Sequence, residues 1–251
     1  MVVGNAVAFV VSAVILVGLP AVTPEPVTDG PRRVALGDRP YLLLTAVDGI
    51  MAIQFKVLTV AIPLWLVTAT RAPAWIVSGT MLVSTLMVVA FQVRASRGID
   101  SPTAGGRAYR RAGLAFLASC SLISLTRAIP AWAAAALLLT AAVVHTVGEL
   151  WHSAAGFEVS FALAPVEATG QYLGVFGLGA GLAEALGPSL LIALCISWGT
   201  AGWYVVGAMF ALTGLAAPAA VRWAQARRSV PARPTATQKS SSKLTVPVTP
   251  T

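Results

Sequence analysis

The sequence predicts an all-α fold, a polytopic bundle of about seven transmembrane helices. Of the 251 residues, 57% are hydrophobic and 10% are charged, whereas about a quarter of the residues in a soluble domain carry charge. The apolar residues also fall in runs of roughly 17 residues or more, the length that a helix needs to cross the hydrocarbon core of a bilayer. In chain order these runs are 2–19, 41–69, 74–93, 111–129, 131–164, 171–197 and 200–221.

The first run, within residues 1–20, is predicted to be a transmembrane helix rather than a signal peptide. A signal peptide carries positive charge ahead of its apolar core, and Met1 to Leu19 contain no Lys or Arg. Residues 21–40 contain four prolines and mixed charge, which predicts a cytoplasmic linker. Residues 225–251 are rich in Pro, Ser, Thr and basic residues without apolar periodicity, and they predict a disordered basic cytoplasmic tail.

The basic residues predict how the chain is oriented in the membrane. Of the 17 Lys and Arg residues, 14 fall in connections that alternate onto one side, two fall on the other side, and Lys56 lies inside a run. The positive-inside rule then predicts a multi-pass protein of the cell membrane with a cytoplasmic C-terminus. The bilayer is therefore the expected partner, and the net charge of +8 gives no reason to expect nucleic-acid binding.

Ionisable residues lie inside three of the apolar runs. A charge near the middle of a bilayer is costly unless it faces a partner or a water-filled cavity, so such residues indicate a functional site by default. Asp48 lies close enough to the predicted cytoplasmic start of its run to be interfacial instead. The candidate residues for a substrate or proton pathway are Asp48, Lys56, His145, Glu149, His152 and Glu184.

The fifth run contributes three of these candidates. Ala131 to Ala164 contain no Lys, Arg or Asp, and a helix of this length would be about 50 Å long, so it must tilt, break or emerge from the hydrocarbon. His145, Glu149 and His152 are spaced i, i+4 and i+7, which places them on one helical face.

The same spacing has a second interpretation, as metal ligands. Glu-x-x-His on a bundle helix is one element of a di-iron site, but the chain has only two histidines, and no second such motif follows. No HExxH motif, and no GxSG motif with a histidine on another run, supports a hydrolase. Cys120 and Cys195 both lie within runs and predict no disulfide. The sequence therefore predicts a protein without enzyme activity, metal or cofactor.

The sixth run is rich in glycine. Its residues form small-xxx-small pairs, which allow close contact between helices, and a Gly-Pro step that can kink the helix. Helix packing is the expected role of these residues, which are Gly170, Gly174, Gly177, Gly181, Gly187 and Pro188.

Several stretches of the chain resemble one known family. They are GNAVAFVVSAVIL near the N-terminus, RASRGIDSPTAGGRAYRRAGL at 94–114, LAPVEATGQYLGVF at 163–176, LGPSLL at 186–191, and HTVGELW at 145–151. Together they are similar to the sixth to twelfth helices of major facilitator superfamily transporters of the actinobacterial type. The resemblance covers about 220 of the 251 residues. It implies a helix like the family's sixth at 1–20 and the six-helix C-terminal domain at 41–224.

The resemblance also implies roles for the polar residues. In this family the seventh and tenth helices line the central cavity, the eighth and eleventh contribute at its sides, and the substrate lies between two related halves. The connection at 94–114 resembles the family's cytoplasmic gating motif through Asp100, Arg107, Arg110 and Arg111, together with Gly98 and Gly106, although the spacing differs. A solvated positive-inside loop is the alternative explanation for these arginines.

The expected function is secondary active transport, with proton-coupled export of small organic molecules. Asp48, Glu149, Glu184 and His145 are the expected proton carriers, and Lys56 is the expected charge partner of Glu149 or Glu184. The alternative is that such a pair is structural and that coupling lies in an absent half. Because the resemblance covers one half and one further helix, we expect a truncated transporter or a half that pairs with a second chain. A scaffold that binds another membrane protein without transporting anything is the alternative from a different class.

Overall fold

The described part of the chain is helical throughout. A computed structural model describes residues 10–12, 15 and 34–228, and these residues contain no strand, which confirms the all-α prediction. The chain divides into two units, and in the first, Met1–Arg32, residues 10–12 and 15 are helical. Most of the predicted run 2–19 and the tail from residue 229 onward lie outside the described residues.

The second unit, Arg33–Thr251, contains eight α-helices among its described residues. The first described span, Arg39–Ala69, is interrupted by a π-helical segment, and the helix of the sixth predicted run continues into a second one. In order the elements are α1 (Val34–Gly37), α2 (Arg39–Ala52), a π-helix (Val57–Ala61), α3 (Ile62–Ala69), α4 (Trp75–Ala95), α5 (Pro102–Ser124), α6 (Ala131–Ala162), a 3-10 turn (Val166–Ala168), α7 (Thr169–Leu191), a second π-helix (Ile192–Ser197) and α8 (Thr200–Arg228).

Five helical stretches in the described residues are long and apolar enough to cross a membrane, which fits a multi-pass membrane protein. They are Arg39–Ala69, Trp75–Ala95, Ala131–Ala162, Val166–Ser197 and Thr200–Arg228. This is fewer than the seven predicted, in part because the run at 2–19 is largely not described. The run at 111–129 belongs to α5, which begins at Pro102 and so takes three arginines into its first turns.

Two boundaries differ from the predicted ones, and the long fifth run proves to be one helix. The predicted linker at 21–40 already contains α1, and Asp38 caps α2 by accepting a hydrogen bond from the Tyr41 backbone N–H at 3.1 Å. Helix α8 continues to Arg228, into the predicted tail, because basic residues suit the C-terminal turn of a helix. Helix α6 is unbroken over 32 residues, so the predicted run forms one helix about 48 Å long.

Helix α5 packs between α6 and α8. The crossing with α8 is close because glycines face each other: a Cβ added at Gly113 would lie 3.1 Å from the Cα of Gly214. Such contacts let helices associate in a bilayer, where apolar side chains gain little by leaving lipid. On the other side of the bundle α2 packs against α7 and α8, and α4 packs against α6.

Candidate functional site

The first span is interrupted at the place where its polar residues lie. Helix α2 ends at Ala52, a turn follows, and the chain is π-helical from Val57 to Ala61. Pro63 lies within the first two residues of α3, where it removes one backbone donor and crowds the preceding turn. π-helical bulges inside α-helices are rare, and they often mark a functional site.

Lys56, the last residue before this bulge, forms an ion pair with Glu184 of α7. The Lys56 side chain is 19% exposed and the Glu184 side chain 69% exposed. A Cβ added at Gly187 would lie 3.2 Å from the Lys56 Cγ, so this glycine leaves room for the lysine stem. Of the two partners that the sequence suggested for Lys56, the structure places Glu184 beside it and not Glu149.

Glu149 instead lines a cleft of about 310 Å³ between the first span, α4 and α6. It is partly buried, and no described residue forms a hydrogen bond or an ion pair with it. Lys56 reaches the same cleft, so one cleft holds a carboxylate and an ammonium group. The residues that line it are Gln54, Phe55, Lys56, Leu58, Thr59, Met81, Ser84 and Glu149.

Gln54 is the residue in this cleft that sequence reasoning missed. Its exposed fraction is 0%, and neither its amide nitrogen nor its amide oxygen has a hydrogen-bond partner among the described residues. A buried polar group without a partner costs about 1–3 kcal/mol. The amide can both donate and accept a hydrogen bond, and because it is buried, a molecule in the cleft would reach it only after the Gln54 side chain turns toward the cleft.

His145 supports the interrupted segment and does not line the cleft. Its Nε2 lies 3.1 Å from the Gln54 backbone oxygen, which also accepts a hydrogen bond from the Val57 N–H at 3.0 Å. Its ring packs against Phe116 with a centroid separation of 4.8 Å. His145 is fully buried, and its position holds α6 to the turn that carries Gln54 and Lys56.

Asp48 and His152 meet in a second, buried cluster. The Asp48 Oδ1 accepts a hydrogen bond from the Tyr109 hydroxyl at 2.8 Å, and the His152 Nε2 lies 3.1 Å from the same oxygen. A Cβ added at Gly156 would lie 3.0 Å from that oxygen, so the glycine makes room for the carboxylate. Asp48 is therefore a buried residue that joins α2, α5 and α6, and no feature of the sequence pointed to Tyr109 as its partner.

Five of the six predicted pathway residues thus fall into two groups, and His145 lies in neither. Lys56, Glu149 and Glu184 lie at or beside the cleft, whereas Asp48 and His152 form the buried cluster. Among the described residues, no three His, Cys, Asp or Glu side chains lie together as a metal site.

The glycines of α7 do not pack as their spacing suggested. A Cβ added at Gly170, Gly174, Gly177 or Gly181 would meet no atom of the described residues within 4 Å. The close contact is made instead by Gly179, because a Cβ there would lie 2.6 Å from the Thr45 carbonyl oxygen. The face of α7 that meets α2 is rotated around the helix from these four glycines, so their packing role stays a prediction, whereas Gly187 does lie against the Lys56 side chain. Pro188, at the other end of α7, precedes the π-helical segment and cannot donate a hydrogen bond to the Glu184 carbonyl.

The residues of the predicted gating loop do not all line the same cleft. Arg107 and Arg111 line a cleft with Arg94 and Arg97, whereas neither Arg110 nor Asp100 lines it.

Comparison of the chain with known protein families, with curated proteins and with solved structures found no match.

Proposed function

We propose that the chain is part of a secondary active transporter that moves small organic molecules across the cell membrane by exchange with protons. The observation that carries this proposal is the cleft beside the interrupted first span. It combines one carboxylate, one ammonium group and a buried amide that has no hydrogen-bond partner among the described residues, within helices long enough to cross a bilayer. Ionisable residues at such a depth mark substrate and proton pathways.

Glu149 is the residue to which we assign coupling. Lys56 already has a carboxylate partner in Glu184, whereas no described residue forms a hydrogen bond or an ion pair with Glu149. A carboxylate in this position can hold either a proton or the positive or hydrogen-bonding part of a substrate. Competition between the two at one oxygen would link outward movement of the substrate to inward movement of a proton.

The interrupted helix supports the same proposal. Irregular backbone inside a membrane is tolerated where it is buried in protein or lines a cavity, and transporters place binding sites at discontinuous helices. Here the turn at 53–54 and the π-helix bring Gln54 and Lys56 to the cleft. The proposal includes two further points: that the chain corresponds to the C-terminal half of a major facilitator superfamily transporter, and that its C-terminus is cytoplasmic.

A transport assay in proteoliposomes tests the proposed proton-coupled transport. The full chain is reconstituted, a panel of small amphipathic cations that includes tetraphenylphosphonium and ethidium is added, and flux is measured with and without a pH gradient. We expect flux that depends on the gradient and is lost in Glu149→Gln. Glu158→Gln is the matched control, because Glu158 lies on the same helix and does not line the cleft. Flux that is unchanged in Glu149→Gln would refute the role of this residue.

A non-transporting scaffold is the second candidate, and the open glycines of α7 favour it. Gly170, Gly174, Gly177 and Gly181 present a face on which a second helix could approach closely. The scaffold predicts a stable complex with another membrane protein and no flux for any member of the panel. Cross-linking from Gly177→Cys to such a protein, in membranes that show no gradient-dependent flux, would favour it over the transporter.

A further inference from the structure

A second cleft lies where α4 ends and α5 begins, and its charge is of one sign. Its volume is about 240 Å³, and four arginines line it without any carboxylate. Two come from the end of α4 and the following loop, Arg94 and Arg97, and two come from α5, Arg107 and Arg111. Trp151 of α6 lines it as well.

The backbone between α4 and α5 has a defined course. Gly98 has a φ of 78°, a left-handed conformation that glycine adopts without the steric cost that a side chain brings. The Arg97 N–H donates to the Arg94 carbonyl at 3.3 Å. Helix α5 then begins with Ser101 as its cap, whose hydroxyl oxygen accepts a hydrogen bond from the Ala104 N–H at 3.3 Å. The short loop therefore holds Arg97 over the first turns of α5.

The charge of the cleft is not balanced within the described chain. Arg107 and Arg111 are four residues apart on one helix, an arrangement in which like charges destabilise the helix. None of the four arginines forms an ion pair or a hydrogen bond with a described residue. Asp100, the nearest acidic residue in the sequence, does not line the cleft. A bound anion would remove the repulsion, and guanidinium groups match the geometry of phosphate oxygens.

We propose that this cleft binds a phosphate group. An anionic phospholipid headgroup and a free phosphate share this chemistry, and the position of the cleft favours the headgroup. Arg94 lies in the last turn of α4, which is 21 residues long and apolar enough to span the bilayer, so the cleft lies at a membrane boundary. The positive-inside rule predicts that this boundary is cytoplasmic, where anionic lipids attract basic residues.

Native mass spectrometry of the full chain, purified in a mild detergent, tests the proposal. The probes are phosphatidylglycerol, phosphatidylcholine as the zwitterionic comparison, and inorganic phosphate. We expect one tightly bound phosphatidylglycerol, and binding at least about tenfold weaker in Arg107→Gln/Arg111→Gln, because two charge-assisted hydrogen-bonding groups are lost. Arg110→Gln is the matched control, since Arg110 neighbours Arg111 without lining the cleft, and it should bind as the unmodified protein does.

The competition with inorganic phosphate distinguishes a lipid headgroup from free phosphate as the ligand. Binding of phosphatidylglycerol that inorganic phosphate does not displace identifies the headgroup as the ligand. Displacement by inorganic phosphate at millimolar concentration identifies a site for free phosphate, and both results support the cleft. Equal weakening in Arg110→Gln and in the double variant would overturn the proposal, because it would indicate general surface attraction. Arg97→Gln, a loop substitution outside any helix, provides the same comparison if the double variant does not fold.

Discussion

Gly179 is expected to be the position on α7 where an added methyl group destabilises the bundle most. A Cβ there would lie 2.6 Å from the carbonyl oxygen of Thr45 and 3.3 Å from the Cα of Gly49. Both are backbone atoms of α2, so no side chain can rotate away to make room. In Gly179→Ala, α2 and α7 must therefore move apart along their contact.

The loss of stability expected for Gly179→Ala follows from a comparison with Gly181 on the same helix. A Cβ at Gly181 would meet no atom within 4 Å in the part of the chain that the structure describes, so Gly181→Ala gains the better helix propensity of alanine, about 0.8–1 kcal/mol, without a clash. Gly179→Ala gains the same propensity but adds the cost of overpacking, about 1–3 kcal/mol. The difference between the two variants is therefore the cost of the clash alone.

Thermal unfolding of the two variants in the same detergent measures this difference. At about 2–4 °C per kcal/mol for a chain of this size, Gly179→Ala should unfold roughly 2–12 °C below Gly181→Ala. Equal midpoints would refute the packing of α2 against α7 at these glycines. A lower midpoint for Gly181→Ala would instead indicate that another helix covers the open face of α7.

Two further predictions concern polar contacts. Lys56→Ala should lower the midpoint of thermal unfolding. Exchanging the charges in Lys56→Glu/Glu184→Lys should restore most of that loss, because the swapped pair keeps one cation beside one anion. Unchanged midpoints in the single variants Lys56→Ala and Glu184→Ala would show that the pair contributes nothing to stability. Tyr109→Phe should cost about 1–3 kcal/mol, the cost of removing the partner of a buried polar group, because Asp48 loses a donor at 2.8 Å. The exposed Tyr204 provides the control, and equal effects of Tyr109→Phe and Tyr204→Phe would contradict the buried cluster.

The spans were predictable because they depend on local composition. A run of apolar residues forms a helix in lipid whatever surrounds it, and the runs at 41–69 and 74–93 lie within two residues of the helical stretches that begin at Arg39 and Trp75. The start of α5 was not predictable in this way. Its first turns carry arginines, so they have the composition of a loop and the structure of a helix.

The contacts between helices were less predictable, because they depend on how each helix is rotated. Lys56 and Glu184 are 128 positions apart, and no spacing along the chain distinguishes Glu184 from Glu149 as the partner. The same dependence on helix rotation explains why the glycines that contact α2 were not predicted. Several faces of α7 carry small residues, and only one of them meets α2. Gln54 was not predicted because its side chain is neutral, and the prediction was based on ionisable residues inside apolar runs.

The accessibility of position 84 tests the central claim most directly, that the cleft beside the interrupted span is a binding site that water can reach. Ser84 lines this cleft, and the native Cys120 and Cys195 are buried, so Ser84→Cys introduces a thiol that can be followed on its own. We predict that a small hydrophilic methanethiosulfonate reagent labels it in reconstituted protein and that a transported cation slows the labelling, whereas labelling of Ser96→Cys in the loop is unaffected by the cation. A Ser84→Cys thiol that is not labelled, or is labelled at the same rate with and without the cation, would contradict the account.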